Sequence, residues 1–158
     1  MKRILVPTDF SQHAEDALKV AAQIAKKDNS EIIILHMLEL PHQMNDAILG
    51  GKSIPETMLF MKKANEMLDE IASRSYLDGI PVTEIAKIDR PIHGISQVSK
   101  DYEIDLIVMG SHGSSGIQEL LIGSNTEKVV RNSEIPVLVI KKEDAIEKEF
   151  TIVRRGKK

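Results

Sequence analysis

Short, wholly apolar runs alternate along the chain with longer stretches of helical period. RILVP (3–7) is apolar and closed by Pro and Thr, which predicts a buried strand. Ser11 suits a helix cap. Beyond it Ala14, Ala17, Leu18, Ala21, Ala22, Ile24 and Ala25 recur at helical spacing to Lys27. EIIILHML (31–38) predicts a second strand, apolar throughout, as in a sheet covered on both faces. His36, inside that run, reads as a satisfied core histidine. Residues 41–56 hold two prolines and paired glycines with no clear period. Such a long loop suggests a lid or a mobile rim. A helix is predicted from Thr57 to Ser75, with Met58, Met61, Ala64, Leu68, Ile71 and Ala72 inward. Gly79 and Pro81 end it.

PVTEIAKI (81–88) predicts a third strand near a sheet edge. Pro91 then opens a helix with Ile92, Ile95 and Val98 inward. IDLIVMG (104–110) predicts a fourth strand, Ser124 to Asn132 a helix with Val129 and Val130 inward, and IPVLVIK (135–141) a fifth strand. This alternation specifies an α/β fold: one domain over residues 1–142, an open parallel five-stranded sheet with helices on both faces. Residues 143–158 form a charged tail around FTIV.

Composition narrows the function classes. The chain has 158 residues and a formal charge of −3, which argues against a nucleic-acid-binding surface. No run approaches the ~20 apolar residues that span a bilayer, so no membrane partner is expected. MKRILVPTDF turns polar too early for an export signal, so a cytoplasmic location is expected. With no cysteine and no pair of histidines at helical i, i+4 spacing, a zinc site is not expected.

Four of the nine glycines stand between Gly110 and Gly123, directly after the fourth strand. In an open parallel sheet, ligands bind beyond the carboxyl ends of the strands, where strand order reverses. Glycine there permits positive φ and close backbone approach, and the amides of the helix from Ser124 would face the same anion. Ser111, Ser114, Ser124, Asn125 and Thr126 add neutral donors, so a phosphate can be held with little basic charge. His112 sits in this loop, placed for ligand contact or for solvent. The spacing G-x2-G-x9-G-S is neither the P-loop nor the dinucleotide fingerprint.

In VPTDFS (6–11), ILHM (34–37), DLIVMGSHG (105–113), LIGSNTEKVV (121–130) and PVLVIK (136–141) the sequence resembles the ATP-binding branch of the universal stress protein family. The resemblance covers residues 2–141. It implies strand order 3-2-1-4-5, a Rossmann-like adenine-nucleotide alpha hydrolase fold, and a nucleotide across the switch point. It implies Asp9 near the ribose or a divalent cation, with Pro7 and Thr8 on the same edge and the Met37 backbone on adenine. Met109, Gly110, Ser111, His112, Gly113 and Ser114 would border the ribose and phosphates. Gly123, Ser124, Asn125 and Thr126 would cradle the phosphates. The implied cofactor is ATP with Mg, and the implied partner is a second copy paired through the fifth strand. The leading expectation is a dimeric sensor or regulatory module of the stress response, not an enzyme, with any hydrolysis slow. The alternatives are a weak ATPase or autophosphorylating enzyme, with an acceptor Ser or Thr between 111 and 126, and a nucleotide-free dimerisation scaffold.

Overall fold

The structure, a computed structural model, describes residues 1–39, 54–113 and 122–141. Of the loop expected at 41–56, residues 41–53 lie outside the described residues, as do the tail beyond Lys141 and Ser114. In chain order the elements are β1 (Arg3–Thr8), α1 (Gln12–Asp28), β2 (Glu31–Leu38), α2 (Ile54–Ala72), a 3-10 turn (Ser75–Leu77), β3 (Val82–Ile88), α3 (Pro91–Asp101), β4 (Leu106–Gly110), α4 (Ser124–Asn132) and β5 (Val137–Ile140). The five strands form one sheet in the order β3-β2-β1-β4-β5, and each adjacent pair is parallel. This is the expected topology, and it puts the reversal of strand order between β1 and β4.

The continuous apolar runs are explained by two cores, one on each face of the sheet. Side chains alternate along a strand. Ile4, Val6, Ile32, Ile34 and Val108 therefore face α1 and Leu68 of α2. Leu5, Ile33, Leu35, Ile107 and Met109 face Ile95 and Val98 of α3 and Val129 of α4. Ile4, Leu5, Val6 and Ile32 through Leu35 are fully buried. Each such side chain contributes about 1.5–3 kcal/mol on leaving water.

Helix α1 is punctuated as its sequence predicts. Ser11 Oγ accepts a hydrogen bond from the Ala14 amide at 3.3 Å, and Asn29 ends the helix in the left-handed region at φ 51°.

Three expectations are corrected. Helix α2 starts at Ile54, not Thr57, and ends at Ala72. Met58 is 67% exposed, because α2 buries only Ala64 and Leu68, in its second half. Val130 is 45% exposed while Val129 is buried, since neighbours on a helix point about 100° apart and α4 buries a narrow stripe. No described helix is long and apolar enough to cross a membrane.

Candidate functional site

Strand β1 ends in a turn built by its own side chains. Thr8 Oγ1 accepts from the Phe10 amide at 3.0 Å, and Asp9 Oδ1 accepts from the Ser11 amide at 3.1 Å. These two bonds hold Phe10 at φ +64°, a costly conformation for a bulky residue. The Phe10 ring lies on His36, with centroids 4.3 Å apart. The His36 Nδ1–H donates to the Thr8 carbonyl at 2.9 Å; a carbonyl only accepts, so this nitrogen carries the proton. The turn therefore hangs on β2 and delivers Asp9 to the carboxyl edge of the sheet.

On the other side of the switch point, β4 runs into the glycine-rich loop. Ser111 is fully buried and anchors it. Its amide donates to the Ile140 carbonyl at 2.7 Å, and its carbonyl accepts from the Gly123 amide at 2.6 Å. Gly123 is the N-cap of α4 and supplies no side-chain cap to the helix's first amides. Thr126 Oγ1, buried, donates to the Gly110 carbonyl at 2.9 Å and clamps α4 to β4.

Between these two edges opens a cleft of about 340 Å³, within the range of small-molecule sites. Its lining combines polar residues, among them Asp9, His112, Ser124 and Asn125, with the apolar Leu35, Met37, Pro91, Ile95 and Met109. Among the described residues its lining has two carboxylates, Asp9 and Glu39, and no Lys or Arg.

Gly110 and Gly113 serve close approach. Gly110, Gly113 and Gly123 all avoid the left-handed region, so positive φ is not their reason. A Cβ on Gly110 would lie 2.6 Å from the His13 carbonyl oxygen. One on Gly113 would lie 2.8 Å from Asp9 Oδ2, which puts that oxygen directly against the loop.

Pro7, Thr8, Asp9, Met37, Met109, Gly110, His112, Gly113, Gly123, Ser124, Asn125 and Thr126 all line the cleft. Ser111 does not: it is sealed in the core, its Oγ paired with His112 Nδ1 at 2.9 Å. The Thr126 hydroxyl is occupied by Gly110, which leaves its backbone as the group a ligand can reach. Glu39, Pro91, Ile95, Leu35 and Ala14 complete the lining and were missed by motif spacing. Pro91 follows β3 and Glu39 follows β2, so the carboxyl-edge rule was the signal that could have found them. His13 is half-buried, with its ring 5.6 Å from that of His112. Among the described residues no cluster of three His, Cys, Asp or Glu side chains could hold a metal ion by itself.

Comparison with known proteins gives a consistent likeness. The model of the universal stress protein family matches residues 1–141. Universal stress protein MJ0577 of Methanocaldococcus jannaschii is 32% identical over 157 residues, covering 91% of this chain and 97% of its own. The solved structure of MJ0577 superposes with a TM-score of 0.77 at 33% identity, covering 89% of this chain and 96% of its own. The universal stress protein of Archaeoglobus fulgidus in complex with dAMP shares the fold, with a TM-score of 0.65 at 23% identity, covering 89% and 98% of the two chains.

Proposed function

The chain belongs to the universal stress protein family, and from that premise we propose that it is an adenine-nucleotide-binding regulatory module of the cytoplasm. The observation that carries the reading is the amide corner at the switch point. There Gly113 after β4 and the start of α4, with no side-chain cap from Gly123, line one cleft with Asp9 and with apolar side chains of β2 and α3. The base would enter among Leu35, Met37, Pro91 and Ile95, and the phosphates would lie against Gly113, Ser124 and Asn125. The dipole of α4 and its first amides favour an anion at that end. A family member from A. fulgidus carries dAMP, and another solved universal stress protein carries cAMP, which supports an adenine ligand.

Asp9 and Glu39 set the terms of binding. A carboxylate about 5 Å from a phosphate charge costs about 1–3 kcal/mol between effective dielectric constants of 80 and 20. ATP is therefore expected to enter with Mg, which binds through one or two carboxylates together with substrate phosphates. Asp9, in the lining with its Oδ2 against Gly113, is placed for that role. Bound Mg would neutralise phosphate charge there. A phosphoryl-transfer site normally adds a cationic clamp and a positioned base. The described lining supplies neither Lys nor Arg, which supports binding over turnover.

Among the described residues strand β5 is bonded on one side only, to β4, and its Val137, Leu138 and Val139 are half-buried. An apolar edge of this kind calls for cover, and a second copy paired along β5 would give it. Isothermal titration of nucleotide-stripped protein tests the main reading. Saturable heat with MgATP, weakened by EDTA, is expected; no heat at millimolar ATP overturns it. Native mass spectrometry of the same sample should give a dimer mass.

A further inference from the structure

One more glycine stands beside the cleft, outside the glycine-rich loop. Gly94 is buried in the first turn of α3, where its amide donates to the Arg90 carbonyl at 2.9 Å. Inside a helix glycine is a poorer choice than alanine, so its presence calls for a packing reason. A Cβ on Gly94 would strike the Met37 methyl and come within 2.6 Å of the Met37 sulfur. The next neighbour, Asp89 Cβ, would lie at 3.5 Å, an ordinary contact. The clash is therefore with Met37, whose thioether occupies the place where another residue would put its side chain.

We propose that Gly94 is a positioning residue for the purine base: it seats the Met37 thioether against α3, and any side chain at 94 turns that thioether into the cleft. The proposal rests on the nucleotide reading above. Gly94 is absent from the cleft lining, so it acts through Met37, which is part of it. Met37 also packs on the core that holds Leu35 and Ile95, both buried. Close-packed interiors leave no spare volume on that side, whereas the cleft is open space. Methionine is unbranched and turns about three bonds, so displacing its end costs the fold little. The consequence then falls on the ligand, because Met37 stands with Pro91 and Ile95 where the base would enter.

Isothermal titration with MgATP of the parent, Gly94→Ala, Met37→Ala and the double variant tests it, with Tm measured on each. Gly94→Ala should weaken MgATP on the order of tenfold, the scale of an overpacked methyl group, while its Tm holds or rises. In the Met37→Ala background the same change should alter affinity by less than about twofold, since the thioether it displaces is gone. A parent that gives no heat overturns the nucleotide reading and this proposal with it. A parent that binds, beside a Gly94→Ala protein that binds equally well, overturns this proposal alone. So does a loss that persists undiminished in the Met37→Ala background, the mark of a merely structural effect. Methionine-methyl NMR without ligand checks the displacement itself: the Met37 methyl resonance should move in Gly94→Ala, and an unmoved resonance overturns the proposal.

Discussion

Replacing Gly110 with alanine is expected to destabilise the fold, although the local backbone tolerates it. Gly110 is the last residue of β4, is buried, and avoids the left-handed region. On conformational grounds alone alanine would help, since it narrows the unfolded ensemble by about 0.4–1 kcal/mol. The opposing term is steric. The new Cβ would sit 2.6 Å from the His13 oxygen and 2.8 Å from its carbonyl carbon. Both are backbone atoms of the first turn of α1, which is held by the Ser11 cap and by packing on β1 and β4. They cannot swing aside as a side chain does, so α1 must move off the sheet. Overpacking of this kind costs about 1–3 kcal/mol, and displacing a helix puts the expectation in the upper part of that range. The net loss is about 1–2.5 kcal/mol, or about 2–10 °C in Tm for a chain of this size. Urea unfolding of the parent and Gly110→Ala proteins at fixed concentration measures it. Gly123→Ala is the control, because its Cβ meets nothing closer than 3.4 Å. If Gly110→Ala matches the parent within about 0.5 kcal/mol, or falls no further than the control, close approach is not why glycine stands there.

Gly113→Ala presses on the end of a flexible side chain, Asp9 Oδ2 at 2.8 Å. It should leave Tm nearly unchanged and weaken MgATP by about tenfold, or about 1.4 kcal/mol, by titration. Thr126→Val keeps the side-chain volume but removes the bond to the Gly110 carbonyl. It should cost about 1–3 kcal/mol of stability, for a buried acceptor left unpaired, measured in urea. Burial, with the nearby Glu15 charge, pushes the Tyr76 phenol up to about 12 from 10.0. Its folded form holds the proton more tightly than the unfolded chain does. That contribution is whole below pH 10 and is lost as pH rises from there to about 12. Unfolding midpoints between pH 9 and 12 should fall less steeply in Tyr76→Phe than in the parent.

The sheet was legible because its strands are buried on both faces. Runs such as EIIILHML have no other easy reading once helices of clear period separate them. The strand order needed the family resemblance, since alternation alone fixes parallel pairing but not which strands adjoin. The helix faces were read less well. Met58 fits an apolar stripe, yet that stripe extends past the part of α2 that rests on the sheet, a limit no local period encodes. The cleft lining was legible where it is local in sequence, at Thr8-Asp9, Gly110, His112, Gly113 and Gly123 to Thr126. Glu39, Pro91 and Ile95 join it only because β2, β3 and α3 end or begin at one edge of the sheet. Ser111 was misread for a related reason. A serine in a glycine-rich loop looks like a ligand donor, whereas here its backbone ties the loop to β5 and its side chain is covered.

The same geometry divides the glycine motif into different physical roles. The left-handed region is not used at Gly110, Gly113 or Gly123, so what limits substitution at each is its neighbour. Gly110 faces rigid backbone and secures the packing of α1 on β4. Gly113 faces the carboxylate proposed to meet Mg, so bulk there alters ligand geometry before it alters the fold. Gly123 has ordinary clearance from the Ser111 and His112 backbone, and its importance lies in the missing cap. A serine or aspartate at that N-cap would turn its own oxygen onto the first amides of α4. Those are the groups a phosphate would otherwise engage. Glycine at this N-cap gives up only a few tenths of a kcal/mol against such a residue. On the proposed reading a phosphate at those amides would offset that difference, and the order of the start of α4 would then follow occupancy of the cleft.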